Sequence, residues 1–216
     1  MANETRQEKN ETLLDAALEA YARYGIHSAT TKHIAEIAGI GKSTIFEYYR
    51  SSEELMHAAF SRYISIAEIG RKALRDMANS DAAEALVKYF NSLTKMITRE
   101  PDKLLLLSQY VTEILSSGKD FAEVKRHYAE KLQPSADSLL EDFRSIVEAG
   151  VNNRVFKPVG NLDSSDCALL LSAIAREMQA QAFVQDEENV NNTCLRLKRI
   201  ALRMLGAANS CIYVEE

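Results

Sequence analysis

Three prolines and eight glycines in 216 residues leave little material for tight turns, since those two residues supply most of the special turn dihedrals. Turn-rich all-β architectures are therefore disfavoured. The three cysteines, Cys167, Cys194 and Cys211, are odd in number, far apart and without a C-x-x-C pair. This argues against a disulfide framework or a cysteine zinc site and fits a reducing compartment. No two histidines stand at metal-ligand spacing with a carboxylate, and no glycine-rich phosphate loop, nucleophile elbow or triad-like cluster occurs. No metal, cofactor or catalytic residue is expected, so the chain does not read as an enzyme. The longest strictly aliphatic run is Leu104–Leu107, far short of a membrane span. The polar opening MANETRQEKNE lacks the apolar stretch of a signal peptide, and a soluble, cytoplasmic protein is expected. A basic surplus is missing too. Net charge is −5, and through residue 52 six Lys and Arg face seven acids. Only Arg23–Arg50 tilts the other way, with Glu36 and Glu47 as its acids. Charge alone thus gives weak guidance about a nucleic-acid partner.

What is present is helix. Hydrophobic residues make up 46% of the chain and charged residues 26%, and good helix formers dominate, so the expected class is all-α. Thr5-x-x-Glu8 has the form of a capping box at the start of a helix. Leu14, Ala17, Leu18, Tyr21 and Tyr24 follow on one face. Gly25 is expected to end it in the left-handed conformation. A second helix is expected over 31–38 behind Thr30, a turn at Gly39-Ile40-Gly41, and a short helix over 42–49. Ser51-x-x-Glu54 opens a longer helix reaching about Asp76. Further helices are expected over 82–98, from Pro101 to before Gly118, and over 120–149 with a division at Pro134, where the ring disrupts helical bonding. After a loop over 150–163 come two final helices, 164–184 and 188–205, with Gly206 as the stop.

The segment from Thr31 satisfies the requirements of a helix-turn-helix. Two short helices crossing steeply need a small residue where they touch, which Ala35 supplies. The turn needs a residue at ease at positive φ, which Gly39 supplies. Ile34, Ala38, Ile40, Ile45 and an aromatic at Tyr48 or Tyr49 make the miniature core, and the second helix can then enter a major groove. The stretch ATTKHIAEIAGIGKSTIFEYYRSSEEL, residues 29–55, resembles the TetR-type repressors, close to their pattern T-T-x-x-I-A-x-x-A-G-V-S-K-G-T-L-Y-x-H-F-x-S-K-E-E-L. Downstream the resemblance is limited to helix number, length and an A-G-x-x-x-x-x-F-x-P loop at 149–158.

The resemblance implies a homodimer, an operator with two half-sites and a small-molecule inducer bound in the C-terminal part. It places Lys42 and Thr44 at the start of the recognition helix, with Ser43 beside them. Tyr48 stands where the family usually has His and can serve a phosphate through its hydroxyl. Thr31 lies beside the DNA backbone, with Lys32 and His33 exposed after it. Gly41 replaces the usual Ser cap, Ser43 the usual Gly, Phe46 the usual Tyr and Ser52 a usual Lys. Glu47 faces a negative groove, where it can only accept from a cytosine amine or repel. The expected division is a DNA-binding domain over 1–52 and a helical regulatory and dimerisation domain over 53–216.

Polar or aromatic residues on otherwise apolar faces mark a ligand pocket, with Tyr89, Gln109, Tyr110, Glu113, Tyr128 and Gln179 as the candidates. The effector is expected to be largely apolar. Val190, Cys194, Leu197, Ala201 and Leu205, together with Ala168, Leu171, Ala175, Met178 and Ala182, are expected to form a two-fold helical interface. The functional expectation is a repressor that leaves a palindromic operator when its effector binds. An alternative stays open, in which the body docks a protein partner and no small effector exists.

Overall fold

The computed structural model describes residues 5–207, and these contain helices and no strand. In chain order the helices are α1 (Arg6–Tyr24), α2 (Thr31–Ala38), α3 (Lys42–Tyr48), α4 (Ser52–Arg99), α5 (Pro101–Ser116), α6 (Phe121–Lys131), α7 (Gln133–Asn152), α8 (Ser164–Gln181) and α9 (Glu187–Met204). Their ends follow local chemistry. Thr5 and Glu8 form the capping box of α1, and Thr30 accepts from the His33 N–H at the start of α2. Asp163 and Asp186 cap α8 and α9. Gly25 has positive φ but an extended ψ of 154°, so it stops α1 without the left-handed conformation expected of it. The expected break near residue 80 is a kink inside α4, where Asp81 leaves helical dihedrals and its carboxylate accepts from the Glu84 N–H.

The chain forms two compact units, one from residues up to 67 with 105–132 and one from 68–104 with 133 onward. The expected boundary at residue 52 falls inside the first unit. The reason is packing: Leu55, Met56, Ala59 and Phe60 of α4 share a core with Leu13, Ala17, Tyr21, Ile34 and Ile45. Leu106, Tyr110 and Ile114 of α5 complete it. Phe60 lies between Tyr21 and Tyr110, with ring centroids 6.1 and 4.0 Å away.

The second unit is built on Leu86, Phe90, Phe143, Ile146, Leu171, Met178 and Leu202. Asp142 on α7, only 3% exposed, is held there by Arg71, whose Nε lies 2.6 Å from it, and by Arg75. A buried carboxylate is tolerable only with such partners. The A-G-x-x-x-x-x-F-x-P segment folds as a helix end rather than as loop throughout. Phe156 turns back onto Gly150, and the Val155 and Phe156 N–H groups donate to the Gly150 carbonyl at 2.8 and 2.9 Å.

One expectation is corrected here. Val190, Cys194, Ala201, Leu205, Ala168, Leu171, Ala175 and Met178 are buried in the chain's own core, and Leu197 and Ala182 pack against it. Helical periodicity identifies a covered face, and α4, α7, α8 and α9 of the same chain cover this one. Cys167 and Cys194 are buried in that core, whereas Cys211 lies outside the described residues. No described helix is long and apolar enough to cross a membrane.

Candidate nucleic-acid interface

The helix-turn-helix is held by few residues. Gly39 sits at φ 66°, ψ 29°, in the left-handed region that L side chains avoid. Its N–H bonds back to α2, and the Ile40 N–H reaches the Ala35 carbonyl at 3.0 Å. Ile34 and Ala35 from α2 and Ile45 from α3 are buried beneath the turn, with Ala38, Ile40, Tyr48 and Tyr49 packed against them. That core fixes one face of α3 inward, so Lys42, Ser43, Phe46 and Glu47 emerge on its exposed face. Thr44 is half-buried. Gly41 starts α3 without a side-chain cap, as its lack of a hydroxyl dictates.

At the start of α2, Lys32 is exposed and Thr31 half-buried. His33 was expected to be exposed but is half-buried, because its ring stacks on Tyr24 with centroids 4.2 Å apart. The Thr30 N–H donates to His33 Nδ1 at 3.3 Å. In the neutral ring this leaves the proton on Nε2, available as a donor. Two contacts that the motif does not announce tie the end of α3 to α1. The Tyr49 hydroxyl donates to Asn10 Oδ1 at 2.7 Å, and the Arg6 guanidinium carbon lies 5.6 Å from the Tyr48 ring centroid. Their only sequence signal was the capping box, which sets the phase of α1 and so aims Arg6 and Asn10 the same way, one turn apart.

Pairing also explains how a head without net positive charge can present a positive face. Arg23 pairs with Glu19, Lys32 with Glu36 at 3.8 Å, and Arg62 with Glu11 and Asp15 at 3.4 and 3.0 Å. Glu8 is used by the cap, and Glu54 accepts from the Arg50 N–H. Among the described residues no carboxylate pairs with Arg6, Lys9, Lys42 or the Arg50 side chain. Among the described residues, Glu8, Glu11, Asp15, Glu19, Glu36 and Glu54 are thus engaged within the chain, while Glu47 stands exposed on α3.

The ligand candidates do not come together within either unit. Gln109, Tyr110, Glu113 and Tyr128 belong to the first, Tyr89 and Gln179 to the second. Tyr110 is 2% exposed, stacked on Phe60, and its hydroxyl is 3.2 Å from His57 Nδ1. Burial pushes its hydroxyl pKa up to about 12. Glu113 lies 3.2 Å from His27 Nε2, Gln109 is half-buried, and Tyr128 is exposed on α6. Tyr89 packs edge-on against Phe143 at 4.7 Å, and burial raises its pKa to about 12. Gln179 is half-buried on α8. Sequence reasoning missed an open hollow of about 750 Å³ on the second unit, lined by Asn91, Thr94, Lys95 and Arg99 of α4 and by Glu187, Glu188 and Asn191 of α9. Its lining is polar, unlike the expected apolar pocket.

Residues 13–59 match the tetR family of bacterial regulatory proteins. Among curated relatives, the chain is 22% identical over 146 residues to the HTH-type transcriptional regulator RutR of Escherichia coli (strain K12). That alignment takes in 68% of this chain and 58% of RutR, so the match spans less than two thirds of that relative. In fold, the chain is similar to a TetR transcription regulator from Haloarcula marismortui. The TM-score is 0.75 and the identity 16%, covering 92% of this chain and 99% of the other. It is also similar to the regulator FadR from Bacillus subtilis in complex with stearoyl-CoA, with a TM-score of 0.62, 16% identity and coverage of 87% and 96%. The matched segment begins within α1 and ends within α4, taking in the whole helix-turn-helix and the parts of both helices that brace it, so residues 13–59 carry the helix-turn-helix segment of the tetR family of bacterial regulatory proteins.

Proposed function

We propose that this protein is a DNA-binding transcriptional repressor that acts as a homodimer and is released from its operator by a small ligand. The observation that carries the reading is α3 itself. Ile45, at 1% exposure, anchors it to the core while Lys42, Ser43 and Glu47 stand clear on the other side. A helix presented in this way can place its first residues at base edges, while Thr31, Lys32, His33, Thr44 and Tyr48 serve the backbone. Enrichment from random duplex DNA tests it. A roughly palindromic site should emerge, and failure to enrich any sequence refutes the reading.

The homodimer is supported by a different face from the one periodicity suggested. Leu169 and Leu170 of α8 are 54% and 41% exposed, and Ile200 of α9 is 46% exposed. Exposed apolar residues of this size are common at interfaces between copies. In sedimentation at micromolar concentration the protein should be a dimer and Leu170→Asp a folded monomer. A monomeric wild type contradicts the proposal.

An effector is the third part. Stearoyl-CoA bound to FadR is a precedent for a long apolar ligand within the same fold. We retain a largely apolar effector for this chain, with Tyr89 and Gln179 as candidates in the second unit and Gln109, Tyr110, Glu113 and Tyr128 in the first. A ligand that releases DNA must bind the DNA-free conformation more tightly than the DNA-bound one. Thermal-shift screening followed by operator release is the test. Compounds that stabilise the protein and leave operator affinity unchanged rule this part out.

A further inference from the structure

We propose that Arg6, at the start of α1, is a DNA-backbone ligand that takes a phosphate together with Tyr48 of the recognition helix. Three observations converge on it. First, the guanidinium lies over the Tyr48 ring, 5.6 Å from its centroid, within the range where the ring face attracts a cation. This places the charge beside a hydroxyl-bearing residue at the end of α3. Second, the placement is built. The capping box of Thr5 and Glu8 fixes where α1 begins, and one turn later Asn10 accepts from Tyr49 at 2.7 Å. Tyr48, the last residue of α3, and its C-cap Tyr49 are therefore gripped by residues i and i+4 of α1. Third, Arg6 is exposed, and no carboxylate pairs with it among the described residues, whereas Arg23, Lys32 and Arg62 are all paired.

A guanidinium that no described carboxylate pairs, with its planar fork of donors, suits a phosphate oxygen. Stacking on Tyr48 limits the rotamer freedom it would otherwise lose on binding. The aromatic ring thus acts as a platform, and the helix before the motif supplies the charge.

This inference rests on the DNA-binding reading, and the test separates the two. Affinities of the full chain for its enriched operator and for a random duplex of equal length are measured over a range of salt. The variants are Arg6→Gln, Arg6→Lys and Tyr48→Phe, each with its melting temperature. Arg6→Gln should bind both duplexes roughly tenfold more weakly at low salt, as expected for losing a charged hydrogen bond. It should also reduce the slope of log affinity against log salt by about 0.9, one phosphate contact. Arg6→Lys should keep the slope, and Tyr48→Phe should keep the slope while weakening binding, since the platform survives without its hydroxyl. Melting temperatures should stay at the wild-type value because the capping box is untouched. Unchanged affinity and slope in Arg6→Gln overturn the inference alone. So does a loss confined to the operator at constant slope, which would mark Arg6 as a positioning residue only. A wild type that retains no duplex at any salt overturns the DNA-binding reading and this inference with it.

Discussion

Two glycines that bracket the turn of the helix-turn-helix should respond to substitution with opposite signs. Gly39 is at φ 66°, ψ 29°, and a Cβ built there meets nothing within 4 Å. Replacing it by Ala therefore causes no clash, and the whole cost is the left-handed backbone, about 1–2 kcal/mol. Ala also lowers the entropy of the unfolded chain, an offset of about 0.4–1 kcal/mol. The net destabilisation should be about 1 kcal/mol, and Gly39→Asn should cost less, because Asn tolerates this region. Gly41 has φ −71°, ψ 145°, ordinary extended geometry, and its Cβ would sit 3.7 Å from Ser43 Oγ in normal contact. Gly41→Ser adds the cap that α3 lacks and should stabilise by a few tenths of a kcal/mol. Urea denaturation followed by circular dichroism reads both, on the transition that melts the first unit. If Gly39→Ala is neutral, or Gly41→Ser is the more destabilising of the two, the assignment of the turn to a left-handed glycine is wrong.

Gly150→Ala would thrust a methyl group into the Phe156 ring, whose Cγ would be 2.7 Å away. Overpacking of this kind costs about 1–3 kcal/mol in melting experiments, and Phe156→Leu in the same chain should recover part of it. Asp142→Ala leaves Arg71 and Arg75 without their shared buried carboxylate. It should cost about 3–5 kcal/mol by urea denaturation, and Asp142→Asn less. Burial, followed by the charges of Lys131 and His127, holds the His57 pKa below 6.5, with Glu53 opposing. The unfolded chain therefore binds the proton first as pH falls. Stability of the first unit should decline below about pH 6.5, and His57→Gln should flatten that decline.

Local chemistry made much of this protein legible in its sequence. A capping box such as Thr5 to Glu8, the N-cap at Thr30, and a glycine at positive φ such as Gly39 or Gly206 act through neighbours within one turn. Helix ends and the helix-turn-helix could therefore be placed before any packing was known. The same periodicity that marked α8 and α9 as amphipathic could not say what covers them. Leu171, Ala175, Met178 and Cys194 turn out to face their own chain. Nor could it say that Tyr110 stacks on Phe60 or that Glu113 meets His27 in the first unit. An apolar stripe records that a face leaves water, because transfer free energy depends on area and not on the partner. The partner is chosen by contacts between residues far apart in the chain, and those, down to Arg6 over Tyr48, exist only in the folded molecule.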